Sequence, residues 1–579
     1  MTALAFLAAI GAPLALALGL ALPAARGLIW RAIPFAPVPA LALALFGPVP
    51  MSAREDWLIL GTVLGLDATA RLFLIPSALV WIAAAAAARG WMTQDPRATS
   101  FGLCFLLAMT GNIGLFLTAD AASFYAFFAL MSFSAYGLVL HSRSVASLAA
   151  ARLYITFVVA GELALFSGFA LAASETGSLL LADLRGADLS VPAVALLLAG
   201  FGAKMGVMPL HFWLPPAHGS APAPASAVLS GAMIKAGVFG IIAAVPLGVA
   251  AHADLGVVVT AAGLVTIFAA LLLGAREVNP KAVLGFSSVS QMGILALGIG
   301  AALMAPGTWA GVLPVLVFLA AHHALAKGAL FIGAGAFAAQ SGRTGAIAMT
   351  MALALPALIL AGMPGLSGAL GKEALKAAFG TGPALWQPWL TLALALSGVA
   401  TTLLMARFAV QLWRARPSAP AGLQPDALVV PFAALALGSA VLSALWPTLA
   451  GAAARPIAEA GTGAAWPILA GLAIAAAAAV DAHTRRVGWG AFLTSLSAPA
   501  ERLAARTADR AARRRRAFAA EARRLPPALD AWIGAHRLGQ TAIAALFVAV
   551  LVLGNTHTTG GDIAPSVPIA VPEASADGF

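Results

Sequence analysis

The sequence predicts an all-α polytopic membrane protein, and three observations support this class. Hydrophobic residues make up 61% of the 579 residues, and charged residues only 9%. The mean hydropathy of +0.95 excludes an ordinary soluble domain of this size, because its surface could not be made polar. Apolar runs of about 20 residues recur along the whole chain, each long enough to cross a bilayer core. Hydropathy windows indicate about sixteen such spans.

The predicted spans follow one another with short polar segments between them. The first eight lie near residues 2–23, 32–49, 68–88, 100–118, 121–140, 153–172, 191–208 and 222–246. The ninth and tenth flank the segment AREVNPKAVLGFSS. The remaining six lie near residues 309–337, 345–378, 387–408, 427–447, 464–481 and 539–554.

The charge distribution predicts how the chain is oriented in a bacterial-type inner membrane. The formal net charge is +11, and most arginines between spans fall on one face, which is therefore predicted to be cytoplasmic, with both termini outside. The basic segment 484–537 is interpreted either as a solvated cytoplasmic helix or as an interfacial helix that contacts anionic lipid through residues 501–524. This charge pattern gives no reason to expect nucleic-acid binding.

Cysteine usage and the N-terminus limit the chemistry of the chain. A single cysteine, Cys104, lies within an apolar span. It excludes an intramolecular disulfide and a cysteine-ligated iron–sulfur cluster within the chain, and we expect no cofactor. The first span lacks a basic n-region and does not resemble a cleaved signal peptide.

One lysine stands at the point where an apolar helix is broken. Lys204 is followed closely by proline and histidine residues. A lysine at bilayer depth is costly and therefore indicates function, and burial favours the neutral amine, which can then accept and release a proton. Non-helical backbone at this depth needs protein or a water-filled cavity around it, so Pro209, His211 and His218 are predicted to line a hydrated break. The alternative is that Lys204 snorkels to the interface.

A second interrupted span has the same pattern. Pro364 and the glycines around it precede Lys372 in the twelfth span. Two interrupted spans in comparable positions are typical of an inverted repeat with sites near the midplane, although the two halves share little sequence identity. Glu373 adjoins Lys372 and is predicted either to pair or to lie at a possible exit.

Further titratable residues lie in the spans between these two lysines. Lys235 is in the eighth span, and His322, His323 and Lys327 are in the eleventh. Histidine titrates near physiological pH, which suits a proton relay. A metal site is not expected at the histidines of the first break, because no cysteine or carboxylate accompanies them.

Several motifs resemble one known family. The strongest match is AKMGVMPLHFWLPPAHGSAPAPASAVLSGAMIKAGVFG, and the supporting matches are LDATARLF, KAVLGFSSVSQMG, HHALAKGALF and MPGLSGALGKEAL. Over roughly residues 60–410, the chain resembles the antiporter-like subunits of respiratory complex I. It also resembles their relatives in membrane-bound hydrogenases, formate hydrogenlyase and Mrp-type sodium/proton antiporters.

The resemblance implies a fourteen-helix core with two inverted five-helix repeats and discontinuous helices 7 and 12. By motif position, Lys204 is the proton-carrying lysine of the first half, Lys235 the connecting lysine and Lys372 the terminal lysine of the second half. His322, His323 and Lys327 then fall on the connecting axis. The implied organisation is helices 1–3 in 1–98, the two repeats in 99–248 and 249–410, helices 14–15 in 411–483, a lateral-type segment in 484–537, and a last helix and tail in 538–579.

One position departs from the family pattern. The family places a glutamate in the fifth span that pairs with the first lysine, whereas this chain has Ala129 within FFALMS. The burial of the Lys204 charge is then no longer offset by that carboxylate. Glu162, in the middle of the next span, is predicted to replace it; alternatively, Glu162 is only hydrogen-bonded in a packed interface.

Three functional interpretations follow. The first is a proton-translocating subunit of a complex I-like or hydrogenase-like redox complex, with other membrane subunits and soluble redox subunits as partners and no catalytic centre of its own. The second is an Mrp-type Na⁺/H⁺ antiporter subunit. The third is the membrane partner of an inorganic-carbon uptake complex, which the missing carboxylate at Ala129 keeps open.

The replacement of the family glutamate leads to a direct test. Glu162→Gln is expected to reduce proton transport nearly as much as Lys204→Ala, because the amide removes the counter-charge and keeps the size of the side chain. Proton uptake by vesicles that contain the assembled complex measures this. Normal transport by the Gln variant would show that Glu162 does not replace the missing carboxylate.

Overall fold

A computed structural model describes residues 2–59, 61–340, 342–380, 382, 384–416 and 426–484. The described residues fall into two compact units, one that holds residues 2–54 and the described residues from 63 to 484, and one that holds residues 55–59, 61 and 62. In the described part of the second unit, the Trp57 indole donates a hydrogen bond to the Glu55 carboxylate at 2.7 Å. The predicted basic segment from residue 485 onward, its lipid-contacting residues 501–524 and the last predicted span within 538–579 lie outside the described residues.

The N-terminal part of the first unit contains eight helices and, between the third and fourth, two paired strands. The elements are α1 (Thr2–Gly19), α2 (Arg26–Ala32), α3 (Val38–Phe46), β1 (Met51–Glu55), β2 (Thr62–Leu66), α4 (Ala68–Trp91), α5 (Ala98–Phe116), α6 (Ala121–Leu140), α7 (Val145–Thr176) and α8 (Leu181–Gly186).

The following part of this unit contains the interrupted spans. Its helices are α9 (Val191–Met205), α10 (Leu214–Ser220), α11 (Ala223–Val228), α12 (Lys235–Ala244), α13 (Ala253–Arg276), α14 (Pro280–Met304), α15 (Trp309–Ala338), α16 (Arg343–Ala361), α17 (Ser367–Phe379), α18 (Gln387–Arg414), α19 (Asp426–Ala450), α20 (Arg455–Ala458) and α21 (Trp466–Thr484).

The helices confirm the predicted class. Among the described residues, 13 candidate spans are long and apolar enough to cross a membrane, and Val191–Met205 and Trp466–Ala479 are shorter apolar helices. The exception to an all-α chain is the two-stranded sheet of β1 and β2, which was not predicted. The total of sixteen spans and the inverted repeats stay predictions, because the sixteenth span falls outside the described residues.

Polar residues at the helix N-termini determine where several spans begin. Asp67, Asp120, Ser144 and Ser190 each accept a hydrogen bond from a backbone N–H in the first turn of α4, α6, α7 and α9. Asp120 also accepts from the Val63 N–H at 2.9 Å. One carboxylate therefore both starts α6 and holds β2 against it.

Two membrane helices are interrupted, as predicted for the seventh and twelfth spans. After α9 the chain turns at Gly206, where φ is +74°, and after α16 it turns at Gly362, where φ is +100°. Glycine adopts this left-handed conformation without the clash that a Cβ atom would cause. A π-helical turn, Leu229–Met233, joins α11 to α12 just before Lys235, and such turns are frequent at functional sites.

Glycine residues allow neighbouring spans to approach closely. A Cβ atom added at Gly111 of α5 would lie 2.5 Å from the Met131 backbone N and 2.6 Å from the Phe127 carbonyl O of α6. Small residues at such crossings let helices pack by van der Waals contact inside a membrane. These neighbours are backbone atoms, which cannot move aside without shifting α6.

Gly111→Ala is expected to destabilise the protein by ~1–3 kcal/mol, the usual cost of overpacking. The matched control is Gly11→Ala in α1, where an added Cβ atom meets nothing within 4 Å. Thermal unfolding of the two variants in detergent measures the difference. Equal melting temperatures for both variants would contradict this account of the α5–α6 contact.

Candidate functional site

The structure buries every titratable residue predicted to act in proton transfer along the spans. Their exposed fractions lie between 0% and 6% for Glu162, Lys204, Lys235, His322, His323, Lys327 and Lys372. Lys204 does not snorkel to a surface, since its exposed fraction is 4%. A buried charge needs compensating partners, and these partners define the site.

Lys204 lies in a small polar cluster between α6, α7 and α9. Its Nζ donates to Ser132 Oγ at 3.0 Å and lies 5.6 Å from the centre of the Phe128 ring. Glu162 and Ser132 line the same cavity, whose volume is about 10 Å³. The structure therefore brings the amine, the carboxyl group and one serine hydroxyl together around one small cavity. That Glu162 replaces the family glutamate stays a prediction.

Aromatic side chains hold this cluster in position. The Tyr154 hydroxyl donates to the Ser132 carbonyl at 2.8 Å, and the Trp213 indole donates to the Ala203 carbonyl at 2.8 Å. Their rings pack edge to face with centres 5.1 Å apart. Trp213 belongs to the break, so it satisfies a carbonyl at the end of α9. Ser132 was not predicted as a site residue, although it is the last residue of the segment FFALMS, in which Ala129 stands where the family has a glutamate.

The residues of the first break occupy different environments. His218 is fully buried and stacks on Phe331 with ring centres 4.4 Å apart; within the described residues neither ring nitrogen has a hydrogen-bond partner. His211 is also buried, whereas Pro209 is exposed. In the described part of the chain no group of three or more histidine, cysteine or acidic residues is placed to hold a metal. The hydrated lining stays a prediction.

A second cluster connects α12, α14 and α15. Lys235 Nζ and His323 Nδ1 hydrogen-bond at 2.5 Å, and Lys235 Nζ also donates to the Ser230 carbonyl. The Ser230 and Ser288 hydroxyls hydrogen-bond at 2.8 Å, which ties the π-helical turn to α14. Lys327 Nζ donates to a backbone carbonyl of α14 at 2.9 Å. Lys235 and His323 are therefore joined directly, and Lys327 bonds to α14 separately. Ser230 and Ser288, which were not predicted, connect the turn before Lys235 to α14.

The adjacent histidine links α15 to the second break. His322 Nδ1 and Ser367 Oγ hydrogen-bond at 2.9 Å, and Ser367 is the first residue of α17. Further along α17, Lys372 Nζ donates to the Ala361 carbonyl at 3.2 Å. Ala361 is the last residue of α16, so this lysine provides a hydrogen-bond donor for a carbonyl at the end of the interrupted helix.

Lys372 borders a cavity of about 30 Å³ that Glu373 and Lys376 also line. Lys376 Nζ donates to Glu373 Oε1 at 2.7 Å, and these two side chains are 21% and 27% exposed. Glu373 therefore pairs with Lys376 at the edge of the cavity, in agreement with one of the two expectations. Pro364 lies half-buried in the break itself.

One more lysine lies near these clusters and was not predicted. Lys281 is the second residue of α14, and its amine donates to the Ala221 carbonyl. It borders a cavity of about 130 Å³ together with Trp91 and Gly335. In the sequence its segment, KAVLGFSSVSQMG, is one of the supporting family matches. The signal was the same as at the other lysines, a cation next to an apolar span.

Comparison with known proteins identifies the type of membrane domain. Residues 118–379 match the family described as NADH:quinone oxidoreductase/Mrp antiporter, transmembrane. These residues form an antiporter-like membrane domain. The predicted family is confirmed.

Two curated relatives each match part of the chain. Hydrogenase-4 component B of Escherichia coli is 36% identical over 252 residues, which are 41% of this chain and 37% of that protein. Na⁺/H⁺ antiporter subunit A1 of Staphylococcus aureus is 30% identical over 310 residues, which are 49% of this chain and 38% of that protein. The match therefore spans less than half the length of each relative.

Two solved structures share the fold over most of this chain. A chain of the Mrp complex from a Dietzia species aligns with a TM-score of 0.64 at 22% identity, over 79% of this chain and 97% of that one. A chain of the membrane-bound sulfane sulfur reductase, an archaeal respiratory membrane complex, aligns with a TM-score of 0.65 at 21% identity, over 81% and 99%. The likeness extends well beyond the matched family segment.

The first cluster leads to a transplantation test. Ala129 lies three residues before Ser132, so both lie on neighbouring parts of one face of α6. Glu162→Ala is expected to lose most proton transport, and adding Ala129→Glu is expected to recover part of it by returning a carboxylate to the Lys204 cluster. Proton uptake by vesicles containing the complex is the measurement. The control is Glu162→Ala with Ala129→Gln, which adds similar size without charge; equal recovery by the control would show that charge is not the cause.

Proposed function

We propose that this chain is a proton-translocating membrane subunit of a complex I-like or hydrogenase-like redox complex. The observation that carries the proposal is the placement of lysine. All six lysines of the chain lie within the matched family segment, and the basic residues outside that segment, histidine aside, are all arginine. The lysines are Lys204, Lys235, Lys281, Lys327, Lys372 and Lys376. Arginine does not release its proton in proteins, and a buried lysine does so readily.

The proposed path runs through the clusters in chain order. The path begins at Lys204 and Glu162. It continues through Lys235, His323 and Lys327 in the centre. From there His322 connects it to Lys372. The hydrogen bonds of Lys235 to His323 and of His322 to Ser367 support this order, because each joins a different pair of helices. Internal water is proposed to bridge the remaining gaps, around the breaks at Pro209, His211, His218 and Pro364, and Glu373 is the proposed exit.

The proposed setting is a multi-subunit complex of a bacterial-type inner membrane. Other membrane subunits and soluble redox subunits are the partners, as the likeness to hydrogenase-4 component B suggests. Both termini are proposed to lie outside, with the basic loops cytoplasmic and residues 501–524 on anionic lipid. The two inverted repeats are proposed at 99–248 and 249–410, flanked by 1–98 and 411–483 and followed by 484–537 and 538–579.

A second candidate is an Mrp-type Na⁺/H⁺ antiporter subunit. The observation that favours it is the 30% identity to antiporter subunit A1 over 310 residues. A sodium-dependent pH change in vesicles without any electron donor would favour this candidate. A pH change that requires the electron donor would favour the first.

Lysine-to-arginine substitutions separate proton transfer from simple electrostatics. Lys204→Arg and Lys372→Arg are each expected to reduce proton transport by about 10-fold or more, because the charge is kept and its release is lost. Dye-detected proton uptake in vesicles containing the whole complex, driven by its electron donor, measures transport.

The matched control is Lys376→Arg, which lies in the same helix as Lys372, four residues further along. Its side chain is partly exposed and pairs with Glu373, and arginine preserves that pair, so transport is expected to stay near the unsubstituted level. If Lys204→Arg and Lys372→Arg transport as well as Lys376→Arg does, these lysines do not carry protons.

A further inference from the structure

The loop between α20 and α21 reaches the second helix break. We call residues 459–465 the closing loop. The Gly365 N–H, in the break between α16 and α17, donates to the Thr462 carbonyl of this loop at 2.7 Å. A backbone N–H group that leaves a helix at membrane depth needs an acceptor from the protein. The closing loop supplies that acceptor from a part of the chain about 100 residues away.

Gly463 sets how closely the closing loop packs on α17. Its φ is +84°, and a Cβ atom added there would lie 2.8 Å from Ala369 Cβ and 3.9 Å from Glu373 Cγ. Ala369 lies three residues before Lys372, so it lies on nearly the same face of α17. Only glycine fits both the conformation and the distance.

The closing loop and the residue after it also form part of the cavity wall at Lys372. Gly463, Ala464 and Trp466 line this cavity opposite Lys372 and Glu373, and its volume is about 30 Å³. A cavity of ~10–15 Å³ already holds one water molecule. The loop therefore covers a space in which water can reach the amine.

We propose that the closing loop is the barrier between solvent and the cavity that Lys372, Glu373 and Lys376 share, and that Gly463 is the positioning residue that keeps the loop packed on α17. The topology supports a barrier on the release side. α16 begins at Arg343 on the arginine-rich face, and α17 continues away from that face beyond the break. The assignment of this side to proton release rests on the proposed function; the barrier itself does not.

The test combines one labelling site with two glycine variants. Ala361 lines the cavity and is 3% exposed, so Ala361→Cys in a Cys104→Ala background reports water access. A small methanethiosulfonate reagent is applied to membranes that contain the full-length chain in its complex. Gly463→Ala is compared with Gly461→Ala, which lies in the same loop, has no positive φ and would place its Cβ atom with nothing within 4 Å.

Gly463→Ala is expected to speed labelling about 10-fold. Alanine is strained in the left-handed conformation at this position, and strain of this size favours the open form of the loop by about that factor. Gly461→Ala is expected to leave the rate unchanged. Equal rates in the two variants would overturn the proposal. If Gly463→Ala fails to assemble, Gly463→Asn takes its place, since asparagine tolerates the left-handed region while its Cβ atom still meets Ala369; unchanged labelling in that variant also overturns it.

Labelling separates this proposal from the proposed function. Reagent access needs no transport, so faster labelling in a protein whose Lys372→Arg variant transports normally would support the barrier and contradict the proton path. Proton leak into vesicles without an electron donor is the second readout. It is expected to rise in Gly463→Ala and not in Gly461→Ala.

Discussion

The ends of two interrupted helices hold the lysines on which the rest of the structure depends. Lys204 lies in the last turn of α9, and Lys372 donates to the last carbonyl of α16. The C-terminal end of a helix carries a partial negative charge and free carbonyl groups. The second break therefore supplies an acceptor for the Lys372 amine from its own helix end. At the first break the Lys204 amine instead donates to Ser132 Oγ of α6, and the Ala203 carbonyl at the end of α9 accepts from Trp213.

The two breaks differ in the acid that accompanies each lysine. Glu162 shares a small buried cavity with Lys204, so its charge state and that of the lysine depend on each other. Glu373 is instead paired with the partly exposed Lys376. One end of the array is thus enclosed and the other lies near a surface, covered by the loop at Gly463.

Serine hydroxyls lie in each of the clusters that hold the titratable groups. Ser132 contacts Lys204, Ser230 bonds to Ser288 beside Lys235, and Ser367 bonds to His322. A hydroxyl can donate and accept at once, which suits it to link an amine or imidazole to the next group. The fold likeness covers 79–81% of the chain, whereas the family match covers residues 118–379.

The sequence by itself determined the membrane class, the two helix breaks and the buried lysines. Each follows from local composition and from the cost of placing a cation or a broken helix in a bilayer. Only the tertiary structure decided which groups meet: Lys204 and Ser132 are 72 residues apart, and Lys235 and His323 are 88 apart. The reason is that most of the spans are apolar on every side, so their sequence does not show which face turns towards a neighbour. Packing sets that rotation, and it brought Glu162 to Lys204 and the closing loop to Lys372.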